Sequence, residues 1–236
     1  MKTEIYNLII LDESGSMSHV KRQTVSGCNE TINTIRSAQE KFADTQTHYV
    51  SIYAFQANDK IPSRYLIKNQ PIAAVPHISD KQNNPWGGPP HNAAVGGTLA
   101  DLNAMGNGKE RANRPRDRPT TGMENASEHY TCEKVAKMIS ALKEEGWSFN
   151  FIGANIDVQG TAASLNIDNA LEFQQDEAGT QAMFAHERSS RMAYYSRTSE
   201  VMADCAPSAA KSEAGRRGLF GRLKDAAADY FDKDEK

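Results

Sequence analysis

The stretch Tyr6-Asn7-Leu8-Ile9-Ile10-Leu11-Asp12-Glu13-Ser14-Gly15-Ser16-Met17 decides how the chain is read, because an apolar run ends in a carboxylate and two hydroxyls spaced two residues apart. Leu8 to Leu11 read as a central parallel strand covered by helices on both faces, where the usual alternation is lost. At its carboxyl end Asp12, Ser14 and Ser16 can turn their oxygens toward one point, with Gly15 supplying backbone freedom between them. One carboxylate with two neutral hydroxyls suits a hard cation such as Mg²⁺ that keeps several waters. The alternative is that Ser14 or Ser16 caps the helix that follows.

Working outward, Val25, Cys28, Ile32, Ile35 and Phe42 recur at helical steps and predict one helix from about His19 to Ala43, with Cys28 in the core. Tyr49 to Phe55 is β-branched and aromatic and predicts a strand, Asn58-Asp59 a turn, and Arg64 to Ile67 an antiparallel partner in a hairpin. Pro71, Pro76 and Pro85 mark a surface crossover with at most one short helix, and Gly87-Gly88-Pro89-Pro90 a loop. Ala93 to Met105 reads as a helix. Val135, Ile139 and Leu142 line a further helix from about Ser127 to Glu145, which Gly146 ends. Trp147 to Gly153 is the next strand, with Asn155 and Asp157 at its carboxyl end, the edge where open α/β sheets bind ligands. Asp157 can also cap the short helix over Gly160 to Leu165. Leu171 to Phe173 gives an edge strand and Ala178 to Arg197 a last long helix.

Asp-x-Ser-x-Ser after a buried strand and before an amphipathic helix resembles the first motif of the metal-ion-dependent adhesion site in von Willebrand factor A (vWA) domains, here of the bacterial cytoplasmic type. The resemblance spans residues 1 to about 200 and is strongest at Tyr6 to Met17 and Gly122 to Asp157. It implies a doubly wound, mostly parallel α/β sheet with one antiparallel edge hairpin strand and helices on both faces. It also implies Mg²⁺ or Mn²⁺ held by Asp12, Ser14 and Ser16 on the top face, and a protein partner that offers the cation a carboxylate.

Two of the five usual ligand positions depart from that pattern. Where the family has Gly-Thr-Pro-Leu-Tyr-Asp-Ala, this chain has Gly88-Pro89-Pro90-His91-Asn92-Ala93-Ala94, so Pro89 stands in place of the threonine. Thr98 is the nearest substitute, with a structural role inside its helix as the alternative, and His91 is an exposed loop residue whose nitrogen favours softer metals. Where the family has Thr-Asp-Gly after a β-branched run, the chain has Thr120-Thr121-Gly122, so Thr121 replaces the aspartate. The preceding Lys109 to Pro119, with four arginines and two prolines, cannot form a buried central strand. Regular pattern on both flanks of an irregular interior is what a local change of reading frame between about Asn103 and Thr121 would produce. Three surviving ligands with one charge predict cation binding that is weak or absent, and a metal-free interaction protein is the corresponding alternative.

An enzymatic alternative, a Mg²⁺-dependent phosphatase-like hydrolase using Asp12 as nucleophile, resembles the haloacid dehalogenase type. That chemistry needs a second acid two residues on, where this chain has Ser14. The expectation is therefore a binding protein and not an enzyme. A net charge of -3 gives no electrostatic footprint for nucleic acid. Met1-Lys2-Thr3-Glu4 leads straight into a strand and leaves no room for a signal peptide, and no apolar stretch is long enough to span a bilayer. Three widely spaced cysteines, Cys28, Cys132 and Cys205, fit a reducing cytoplasm.

The domain division expected is a vWA-like domain over 1–200, a flexible linker over 201–218 and a tail helix over 219–236. Leu219, Phe220, Leu223, Ala227, Tyr230 and Phe231 fall at helical spacing, so the tail is amphipathic and can dock on a partner or on its own domain.

Overall fold

The computed structural model describes residues 2–13, 15–55, 63–83, 85, 96–100, 130–154, 157–204 and 213–231. Ser14, Pro89, His91, Thr121 and Asn155 lie outside the described residues, as do the segment from Asn103 to Thr121 and residues 205–212 of the expected linker.

The chain is mixed α/β. Strand β1 (Thr3–Asp12) pairs in parallel with β2 (Gln46–Phe55), from Thr3 opposite Gln46 to Asp12 opposite Phe55. The crossover between them is α1 (Lys21–Lys41), preceded by a 3-10 helix over Gly15–Val20. Strand β3 (Arg64–Pro71) returns antiparallel on β2, the expected hairpin, and runs four residues farther than its β-branched stretch suggests. The extra length carries an irregularity: the register shifts between Val50 and Ile52, where Asn69 takes a positive φ of 46° and donates its N–H to Ser51 Oγ at 2.9 Å.

Burial in β1 follows strand parity. Ile5, Ile9 and Leu11 pack with α1 residues Val25, Cys28, Ile32 and Ile35, with Val50 and Ile52, and with Tyr195. Leu8 and Ile10 point the other way, to Tyr53, Phe55 and Tyr65. The α1 stripe is the one its spacing predicts, and Ile32 and Ile35 are wholly buried. Each contributes roughly 1.5–3 kcal/mol by removal from water. The crossover after β3 is less superficial than its prolines suggest, since Ile72, Val75 and Ile78 join the same core.

A second core gathers around α2 (Cys132–Glu144), β4 (Asn150–Gly153), α3 (Val158–Ser164) and β5 (Asn169–Glu172), with β4 and β5 parallel. Val135, Ile139 and Leu142 meet Ala162, Leu165, Ile167 and Leu99 there. Thr131 caps α2 by accepting the Lys134 N–H, and Gly146 follows with φ 87°. The described strands therefore form two sheets, one mixed and one parallel. Lys109 to Pro119, where a doubly wound sheet would place a further central strand and whose prolines and arginines exclude a buried one, lies outside the described residues.

Helix α4 (Glu177–Ala203) packs on α1, and α5 (Glu213–Ala227) packs on α4 and α2. The tail thus folds back on its own chain, where Ala226, Ala227, Tyr230 and Phe231 are buried. Phe220 and Leu223 approach Gly146, and Lys224 pairs with Glu144 at 2.9 Å. Residues 201–203, expected to be linker, are the last turn of α4, and α5 begins six residues before Leu219. Among the described residues no helix is long and apolar enough to cross a membrane.

Candidate functional site

Asp12 is the last residue of β1 and is partly exposed at its carboxyl end. The ladder continues one step beyond it, because the Glu13 N–H donates to the Phe55 carbonyl at 2.9 Å. Side-chain alternation therefore holds through Glu13, placing Asp12 and Glu13 on opposite faces.

Glu13 is 0% exposed, on the face that carries Leu11. An isolated carboxylate there would be costly, and Arg64 offsets it: Nη1 donates to Oε2 at 2.8 Å and Nη2 to Oε1 at 3.3 Å. The same Nη2 donates to the Gln82 carbonyl at 2.6 Å. Arg64 lies opposite Ala54, which itself neighbours Leu11, so strand register alone brings guanidinium and carboxylate to one face.

After Glu13 the chain enters the 3-10 helix, where Ser18 Oγ donates to the Gly15 carbonyl at 2.6 Å. This turn is tied to the segment before α4. Gln175 Nε2 donates to the Ser16 carbonyl at 3.3 Å and contacts Met17 Sδ at 3.0 Å, and the Gln175 carbonyl lies 2.9 Å from His19 Nε2. Asp176, the next residue, caps α4 through the Gly179 N–H at 2.7 Å. The residue at the amino end of α1 is Val20, without a side-chain cap, so capping α1 is not the role of Ser16.

Of the remaining expected contributors, Asp157 is an exposed helix cap, its Oδ1 accepting the Gly160 N–H at 2.8 Å. Thr98 is 2% exposed within helical residues 96–100, beside Leu99 of the second core. Among the described residues no three of His, Cys, Asp and Glu come together as a metal group. The oxygens that the described part of this loop offers are the carboxylate of Asp12 and the hydroxyl of exposed Ser16. Hard oxygen donors of that sort fit Mg²⁺ or Mn²⁺ with waters retained. No family model matches the chain, and none of the curated proteins matches it.

A buried polar network under the same sheet escaped the sequence reading. Asn7, the one polar residue in the opening strand's apolar run, accepts the Tyr195 hydroxyl at 2.5 Å. Tyr195 also accepts from Arg191 Nη1 at 3.2 Å, and Arg191 Nε donates to Glu187 Oε1 at 2.6 Å. Burial pushes the Tyr195 hydroxyl up to about 12. His48, wholly buried, sits edge-on to Tyr195 with ring centroids 4.7 Å apart and its Nε2 3.0 Å from Gln46 Oε1. Burial first, and the Arg191 charge second, lower its pKa to about 4. Burial, with the Glu187 charge adding to it, holds the Cys28 thiol at about 12, which suits a core residue and not a reactive one. Asn7 was the available signal for this network, since a buried amide requires a partner.

Proposed function

We propose that the chain is a protein-binding module of vWA type, a doubly wound α/β domain whose Asp12 loop holds a divalent cation and presents it to a carboxylate of a partner protein. The observation that carries this reading is the position of Asp12, partly exposed at the carboxyl end of a parallel strand whose following turn is pinned from below and from the side. Asp12, Ser14 and Ser16 would hold the cation, which when bound supplies a positive centre for a partner's carboxylate. Pro89 and Thr121 lack the groups usual at two further positions, so the affinity is low.

The reading is one of binding and not of turnover. An aspartyl nucleophile needs an acid nearby to protonate the leaving group. The residue two places on is Ser14, and the adjacent acid, Glu13, is buried against Arg64 on the opposite face. Calorimetric titration of the full chain with Mg²⁺ and with Mn²⁺ tests the proposal. Saturable binding that disappears in Asp12→Ala is the expected result. Absence of binding, or binding unchanged in Asp12→Ala, would remove the cation from the account.

A further inference from the structure

We propose that Arg64 is the positioning residue of the Asp12 loop, a role that rests on the cation reading of Asp12 and extends it to a residue outside the ligand set. Three parts of the chain meet at its guanidinium. Glu13 is gripped through both carboxylate oxygens, at 2.8 and 3.3 Å, and the Gln82 carbonyl accepts a further bond from Nη2 at 2.6 Å. Gln82 is itself fixed, because its Oε1 accepts from the Ser79 N–H at 2.9 Å and the Ser79 hydroxyl at 3.0 Å while its own N–H donates to the Ser79 carbonyl at 2.9 Å. Arg64 therefore moors the residue after Asp12 to a closed turn on a different segment.

The effect on Asp12 follows from the strand. Glu13 is drawn fully to one face, and the Glu13 N–H to Phe55 bond keeps the backbone extended at that point, so Asp12 is held to the other face. Arg64 is 28% exposed, so the clamp closes the top of the core beneath the loop while Glu13 stays dry. The planar fork matters as well as the charge, since a lysine cannot grip two oxygens and a carbonyl in fixed geometry.

Hydrogen exchange and Mn²⁺ titration on the full chain test this together. In Arg64→Gln, peptides covering residues 13–20 exchange faster than in the parent chain while those within α1 and β2 keep their protection, and Mn²⁺ binding weakens about tenfold or more, as loss of a ligand's supporting contact does elsewhere. Arg64→Lys falls between the two. Should Arg64→Gln fail to fold once the buried Glu13 carboxylate loses the guanidinium, the double variant Glu13→Leu, Arg64→Met removes the buried charge and still lacks the clamp. It is expected to melt cooperatively yet keep the fast-exchanging loop and the weak Mn²⁺ binding. Parent-like loop exchange and Mn²⁺ affinity in a folded variant would overturn the role of Arg64. A parent chain that binds no Mn²⁺ would instead overturn the cation reading, and the exchange arm would then decide the clamp alone.

Discussion

Asn169 and Tyr230 are joined across 61 positions of sequence: the first residue of β5 accepts the Tyr230 N–H on Oδ1 at 3.1 Å and donates from Nδ2 to the Ala227 carbonyl at 3.0 Å. One side-chain amide thereby satisfies two backbone groups at the end of α5, where a helix leaves carbonyls without internal partners. Arg197 Nε adds a bond to the Ala226 carbonyl at 2.8 Å, and the Phe231 carbonyl lies 2.9 Å from His186 Nε2. Asn169→Ala should cost about 1–3 kcal/mol, since partly buried backbone groups lose their partners. Asn169→Asp keeps the acceptor and should lose less. Urea unfolding of the two variants against the parent chain measures the difference.

Glu187 and Arg191 form an i,i+4 pair in α4 whose side chains are mostly buried, with Tyr230 lying 3.5 Å from Glu187 and Thr31 also 3.5 Å from it. Removing one partner strands the other. Arg191→Met is expected to destabilise by about 3–5 kcal/mol, and the double variant Glu187→Leu, Arg191→Met to recover most of that. A double-mutant cycle in urea checks it, and equal losses in single and double variants would contradict it.

Much of this was legible locally and some was not. The α1 stripe, the β2–β3 hairpin and the Asp157 cap are set by neighbours within a few positions, so spacing and capping chemistry suffice to find them. Glu13 is different: its buried carboxylate is met by Arg64, 51 positions away, and nothing in the motif itself announces it. The same holds for Asn7, whose partner Tyr195 is 188 positions away, and for the tail, whose docking depends on Asn169. Of the site, the sequence located Asp12 at its strand end and Ser16 in its turn. Ser14, Pro89 and Thr121 fall outside the described residues, so the proposed ligand set rests on the resemblance.

His48 makes stability depend on pH. Its folded pKa, about 4, is below the ordinary histidine value of 6.5, so between these two values the unfolded chain binds a proton that the folded chain does not. Stability from this group is complete above about pH 6.5 and is lost as pH falls toward 4, on the order of 3 kcal/mol in all. His48→Gln should flatten that part of the profile, as read from urea midpoints between pH 4.5 and 7.5, at roughly the values the two pKa limits set.

Gly27 permits close approach of α1 and α4. A Cβ at this position would stand 2.0 Å from Cδ2 of the Phe184 ring. Gly27→Ala should destabilise by about 1–3 kcal/mol through overpacking. Adding Phe184→Leu should restore part of the loss in thermal melts, and a Gly27→Ala chain as stable as the parent would show that the ring moves aside freely.

Paramagnetic broadening by Mn²⁺ in amide spectra of the full chain tests the central claim most directly, because it reports where the cation sits as well as whether it binds. Amides of Glu13, Gly15, Ser16 and Phe55 are expected to broaden first, and Asp12→Ala to abolish this. Thr3 and Gln46, at the opposite end of the paired strands and about 30 Å away at ~3.3 Å per residue, should stay sharp. Broadening centred elsewhere, or none that depends on Asp12, would contradict it.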